Sequence, residues 1–127
     1  MLNSISTKNA PRAIGPYSQA VKIGEFLFIS GQLPINPVTN EMPETITEQA
    51  KQSLENVKAI LEEAGSDLHH VVKTTVFLDD MNAFTQVNEV YQSYFSGNYP
   101  ARSAIEVARL PKDASVEIEV IACLSNN

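Results

Sequence analysis

Residues that build specialised sites are scarce in this sequence. Tryptophan is absent, cysteine occurs once, and histidine occurs only as the adjacent pair His69 and His70. A lone Cys123 excludes an internal disulfide and fits a reducing compartment. Nothing cationic lies beside it in the sequence to activate it, so it reads as a small packing residue. Neighbouring histidines in extended backbone point apart, so no metal site is expected of them. The chain also lacks G-x-G-x-x-G, G-x-x-x-x-G-K-[ST], H-E-x-x-H and C-x-x-C. Positive charge is in deficit, with nine Lys and Arg against fifteen Asp and Glu and a net charge of −6. That balance disfavours a nucleic-acid surface. No stretch approaches the roughly 20 apolar residues of a membrane span. MLNSISTKNAPR has no apolar core of signal-peptide kind, so a soluble cytoplasmic protein is expected.

What is present is an ordinary globular balance. The 127 residues are 43% hydrophobic and 19% charged, which predicts a single domain over 1–127 with a real core. Residues 1–19 hold Pro11, Gly15 and Pro16 and predict an extended or looping start. The Gly15-Pro16 pair stiffens the chain just before Tyr17 and displays that ring at a fixed place. Ala20–Ile23 and Phe26–Gln32 read as strands joined by a tight turn at Gly24-Glu25. The continuously apolar FLFIS predicts a strand buried on both faces. It ends in Ser30-Gly31, where glycine permits close approach by another group.

Leu33 to Glu44, with three prolines, reads as a surface loop. Thr45 and Glu48 form a capping-box pattern before an apolar stripe of Ile46, Ala50, Leu54, Val57, Leu61 and Ala64, which predicts a helix stopped by Gly65. VVKTTVFL at 71–78 is strand-like. Asp79 or Asp80 then caps a second helix with stripe Phe84, Val87, Tyr91 and Tyr94 or Phe95, which places Asn88 near that stripe.

From Tyr99 to Cys123 two runs alternate with the period of a strand. In the first, Ser103, Ile105 and Val107 are expected to face the core, with Arg102, Ala104 and Glu106 outside. In the second, Val116, Ile118, Val120 and Ala122 face the core, with Glu117 and Glu119 outside. Arg102 and Glu117 are thus expected together on one sheet face. Two helices cover only one side of such a sheet, so the fold expected is an α+β two-layer sandwich with a mixed sheet. The other face, with Ala104, Ala108 and Ile121, is solvated or covered by a further copy of the chain. The residues alone leave two readings of Arg102 and Glu117 open. One is a structural ion pair; the other is an arginine clamp for a small carboxylate beside a carboxylate that holds water.

At this point the residues resemble the RidA (reactive intermediate deaminase, YjgF-like) family over nearly the whole length. The matching pieces are AIGPYSQAV at 13–21, ISGQLP at 29–34, QSLENVKAILEEAG at 52–65, VVKTTVFLDDM at 71–81, FTQVNEVY at 84–91 and PARSAIEVARLPKDASVEIEVIA at 100–122. The resemblance implies a chorismate-mutase-like fold in a homotrimer with active sites between subunits. It implies a 2-iminobutanoate/2-iminopropanoate deaminase that hydrolyses enamine and imine intermediates such as 2-aminoacrylate and 2-aminocrotonate to 2-oxo acids and ammonia. Those intermediates come from pyridoxal-phosphate-dependent dehydratases, while the protein itself needs no cofactor. Carried over, Arg102 and Glu117 are catalytic, Arg102 holding the substrate carboxylate and Glu117 the attacking water. Tyr17, Ser30, Gly31 and Ala104 complete the substrate site. The family often has cysteine where this chain has Ala104, so only backbone is offered there. Glu119 is assigned a structural role. Two other readings stand beside this one: a non-catalytic trimer that senses 2-oxo acids or binds a partner, and an endoribonuclease or translation inhibitor, which the acidic charge disfavours.

Overall fold

A computed structural model describes residues 2–124. Along the chain come β1 (Asn3–Ile5), β2 (Ala20–Ile23), β3 (Phe26–Gln32), α1 (Ile46–Glu63), β4 (Val71–Leu78), α2 (Phe84–Tyr94), β5 (Ala101–Glu106) and β6 (Val116–Cys123). The strands form one six-stranded sheet in the order β1-β2-β3-β6-β4-β5. All neighbours are antiparallel except β4 and β5, which α2 connects as a parallel crossover. The result is an α+β sandwich with a mixed sheet and both helices on one face. Among the described residues, no helix is long and apolar enough to cross a membrane.

The helix signals act much as the sequence implies. Thr45 Oγ1 accepts the Glu48 N–H at 3.2 Å. No return bond from the Glu48 side chain is found among the described residues, so the expected capping box is half formed. At the other end of α1, Gly65 takes φ 80°, with its N–H on Glu62 O and the Ser66 N–H on Leu61 O. Those two bonds are the Schellman arrangement that satisfies the last carbonyls. Two buried amides do work that periodicity did not announce. Asn56 donates to Leu33 O and Ile35 O, while Gln49 donates to Pro43 O and accepts the Ser115 N–H. The long loop 33–44 is thereby pinned against α1. Asp80 caps a short turn at Met81–Ala83 that leads into α2.

The core lies between the helices and one sheet face, where Leu27, Ile29, Val76, Leu78, Val116, Ile118 and Val120 meet Leu54, Val57, Ile60 and Val87. The start of the chain, expected to be extended or looping, is extended at β1, which pairs with β2. Two expectations are corrected. FLFIS is not buried on both faces: Leu27 and Ile29 are buried, while Phe26 is 48% and Phe28 44% exposed. The second correction concerns β5, whose inward face is the reverse of that expected. Arg102 pairs with Thr74 and Ala104 with Val76, and both β4 partners are buried beneath the helices. Paired residues share a face, so Arg102 and Ala104 lie on the helix side. Ala104 packs against the core, whereas Ile105, paired with Phe77, is 46% exposed on the opposite face. Apolarity alone therefore pointed the wrong way.

The sheet face away from the helices is markedly apolar. Ile23, Phe26, Phe28 and Ile105 on it are each 44–48% exposed, with Phe77 and Ile121 between them.

Candidate active site

The residues singled out from the sequence fall into two groups, one on each side of the sheet. Tyr17, Ser30, Gly31 and Glu117 line one cavity of about 470 Å³. Arg102 lines another of about 490 Å³, together with Asn88, Tyr91, Gln92, Tyr99 and Pro100. Ala104, packed inward, lines neither.

The first cavity is built by an irregularity in the sheet. Ile29 pairs with Val120 but Gln32 pairs with Ile118, so three steps along β3 match two along β6. The extra residue makes a bulge at Ser30-Gly31, which bends the strand and interrupts its ladder. Ser30 is tied to the preceding loop twice: its N–H donates to Gln19 O at 2.9 Å and its hydroxyl to Ser18 O at 2.6 Å. With that proton engaged, the hydroxyl oxygen of Ser30, which lines the cavity, is left as an acceptor. A Cβ at Gly31 would collide with Glu117 Oε2 and come within 2.8 Å of the carboxyl carbon. Glycine is therefore required here for space: the φ of Gly31 is not positive, and the carboxylate lies over its Cα.

Glu117 leaves β6 on the face away from the helices and is half-buried. Its carboxylate has no hydrogen-bond or ion-pair partner among the described residues. Burial pushes its pKa above the usual carboxylate range, and the nearby charge of Glu119 adds to the rise. A half-buried, unpaired carboxylate with a raised pKa is a stronger proton acceptor than an exposed one, which suits it to accept a proton from water. Tyr17 is displayed beside it, 54% exposed, after a tight turn in which Gly15 has φ 122° and the Tyr17 N–H meets Gly15 O at 2.9 Å.

Arg102 is held by α2. Its Nη1 donates to Asn88 Oδ1 at 2.7 Å, and its guanidinium carbon lies 4.7 Å from the Tyr91 ring centre and 5.2 Å from that of Phe84. Phe84, Asn88 and Tyr91 are spaced four and three apart, so they form one helix face over the strand. Tyr91 is itself fixed by a 2.8 Å bond to Thr74 of β4, and burial raises its pKa so that the phenol stays neutral. The aromatic faces and the amide orient the guanidinium without neutralising it. Its remaining N–H groups have no hydrogen-bond partner among the described residues. The ion pair between Arg102 and Glu117 does not exist within the chain, since the two lie on opposite faces of the sheet.

Sequence reasoning placed Asn88 near the stripe of α2 but missed its contact with Arg102. It also missed Arg12, Gln19 and Lys112 at the Glu117 cavity. For Asn88 the signal was available in its spacing from Phe84 and Tyr91; for Arg12 and Lys112 no spacing pattern marks them.

Comparison with known proteins finds relatives over nearly the whole chain. The Endoribonuclease L-PSP family model matches residues 7–124. The 2-iminobutanoate/2-iminopropanoate deaminase of Escherichia coli is 53% identical over 125 residues, covering 96% of this chain and 98% of that protein. Escherichia coli TdcF, solved with bound serine, superposes with a TM-score of 0.94 at 49% identity, covering 97% of this chain and 99% of the other. The YjgF gene product of Escherichia coli superposes with a TM-score of 0.93 at 52% identity, covering 95% and 98%. On this match, extending from Thr7 to Leu124, the chain belongs to the Endoribonuclease L-PSP family, within its RidA (YjgF-like) group.

Proposed function

We propose that this protein is a cytoplasmic imine deaminase that hydrolyses 2-imino acids such as 2-iminopropanoate and 2-iminobutanoate to 2-oxo acids and ammonia. We propose further that it works as a homotrimer in which the Arg102 pocket of one copy faces the Glu117 cavity of the next. One observation carries the reading: a carboxylate grip and a water-activating carboxylate are both well formed, but on opposite faces of one sheet. So small a substrate cannot reach both within one chain. Two copies packed through the apolar sheet face bring the halves together and cover Phe26, Phe28 and Ile105. The deaminase relative and the serine found in TdcF support a small amino-acid-derived ligand.

In this scheme Arg102 binds the substrate carboxylate through two N–H groups, with Asn88 holding the guanidinium plane. The enamine tautomerises to the imine, and protonation on nitrogen makes C2 electrophilic. Water attacks C2 while Glu117 accepts its proton, giving a tetrahedral carbinolamine. A proton passes to nitrogen, the C–N bond breaks, and the hydroxyl proton leaves as the carbonyl forms. One water is consumed and one ammonia released, with no change of oxidation state. Free imines hydrolyse unaided, so orientation supplies most of the acceleration needed.

The test is a coupled assay in which a serine or threonine dehydratase releases the enamine and 2-oxo acid formation is followed. The protein accelerates that release, and Arg102→Ala removes the acceleration, because the lost charge-assisted contact is worth about 1.5–3 kcal/mol of binding. Undiminished acceleration in that variant would sink the assignment. Ribonuclease activity that survives repurification and disappears in a point variant would select the reading in the family's name instead.

A further inference from the structure

The Glu117 cavity holds two cations that the deaminase scheme leaves unused. Arg12 and Lys112 line it, and Glu117 is the only carboxylate among the residues that do. Neither cation is in an ion pair among the described residues. Asp113, the acid next to Lys112, is taken by Arg109 at 2.7 Å. In a chain of net charge −6, two exposed cations outside any ion pair of the described residues therefore line the same cavity as one carboxylate.

Backbone fixes both of them. Each follows a proline, Pro11 or Pro111, that also lines the cavity. The Pro11 carbonyl accepts from Gln19 Nε2 at 2.7 Å, and the Gln19 side chain is buried at 3% exposure. This anchors the segment that carries Arg12. Lys112 sits in a turn closed by the Asp113 N–H on Leu110 O at 3.1 Å and the Ala114 N–H on Pro111 O at 3.2 Å. Its φ is 56° and that of Asp113 is 55°. Aspartate tolerates left-handed backbone, but for lysine it is unfavourable and is retained where the surroundings impose it, often beside functional sites.

Space points the same way. Pockets of about 300–1,000 Å³ accommodate drug-sized ligands. In the single chain the cavity measures about 470 Å³, more than a methyl or ethyl side chain fills. With the 2-carboxylate on Arg102 of the adjacent copy, an alkyl side chain gives Arg12 and Lys112 nothing to bind. We propose that these two residues receive a second anionic group, so that the site takes 2-imino acids with a carboxylate on the side chain, and binds the matching 2-oxo dicarboxylates. Both parts of the proposal rest on the intersubunit site proposed above, and the catalytic part rests on the deaminase reading as well.

The experiment has two arms. In the first, amino-acid oxidases generate 2-iminosuccinate or 2-iminopropanoate in situ, and the ratio of kcat/KM for the two is compared between wild type, Arg12→Ala and Lys112→Asn. Asparagine tolerates the left-handed backbone, so that variant keeps the turn. The ratio is expected to fall about tenfold in each variant, the scale of one charge-assisted hydrogen bond. A ratio that stays constant, or a wild type that hydrolyses 2-iminopropanoate but not 2-iminosuccinate, overturns the proposal. In the second arm, calorimetry compares 2-oxoglutarate with 2-oxobutanoate. Tighter binding of 2-oxoglutarate, lost in the double variant, supports the proposal even if no imine is turned over; equal binding refutes it. Failure of imine hydrolysis with all substrates strikes the deaminase reading alone.

Discussion

Arg102 and Glu117 are held one strand to either side of β4, paired with Thr74 and Phe77 of that strand, and they leave the sheet on opposite faces. Each is served by its own surroundings. Arg102 has Asn88 and two aromatic rings, while Glu117 has Gly31 and the bulge of β3. The arrangement makes a testable statement about assembly. If each site takes Arg102 from one copy and Glu117 from its neighbour, then Arg102→Ala and Glu117→Ala are each inactive as homotrimers. Unfolded together and refolded at equal amounts, they regain activity. With a head-to-tail interface, about a quarter of the sites draw both intact residues, so about a quarter of wild-type activity should return. Sites built within a single chain would regain none.

Gly31→Ala tests the close approach directly. The added methyl would occupy the place of the Glu117 carboxylate, and the yielding atoms are the end of a flexible side chain rather than backbone. Folding should survive, with the melting temperature within a few degrees of wild type. Activity should fall by about 100-fold, since a displacement of about 1 Å at a reacting group can cost that much. A variant that is fully active would show that the position of Glu117 over Gly31 has no part in the reaction.

Much of this fold can be read from the residues. The stop at Gly65, the alternation of β6 and the stripe of α1 each have one dominant physical cause, and each gives the expected element. β5 was misread because its facing depends on what lies above it. Ala104 packs inward on the core and Arg102 lies against the rings of Phe84 and Tyr91, and a period-of-two pattern contains neither contact. Phe26 and Phe28 carry the same lesson in reverse, being apolar yet open in the single chain. Gln19 and Asn56 were illegible because a buried amide is defined by the backbone groups it meets, and those lie up to 23 residues away in sequence.

The pH behaviour of Glu117 follows from its raised pKa, which comes first from burial and then from Glu119. A carboxyl whose folded pKa lies above its unfolded value binds its proton more tightly in the native state. Its ionised form therefore destabilises the fold at neutral pH. That penalty shrinks as pH falls through the folded pKa and is gone below the unfolded value of about 4.3. Glu117→Gln should accordingly be more stable than wild type at pH 7, with the difference disappearing near pH 4. Activity should move oppositely: the wild-type rate is lost on the acid side beginning above the ordinary carboxylate range, and the Gln variant is inactive throughout. Chemical unfolding and rate profiles across pH 4–8 check both limbs. Equal stability of the two proteins at every pH would remove the burial argument.

Gln19 gives the last prediction. Its Oε1 accepts the Thr7 N–H at 2.7 Å, and its Nε2 donates to Thr7 O at 3.1 Å, Ala10 O at 3.3 Å and Pro11 O at 2.7 Å. One buried amide thus fastens the segment from Thr7 to Pro11 beside the cavity. Leucine is close in volume but can make none of these bonds, and it leaves buried backbone groups unpaired. Gln19→Leu should cost about 2–4 kcal/mol in urea unfolding, as expected when buried polar groups lose their partners. Deleting the anchor should also free the loop before it frees the core, so amide exchange should quicken at Thr7 while Leu27 and Val120 keep their protection. Uniform loss of protection across the sheet would instead mean that Gln19 supports the whole fold rather than the rim of the site.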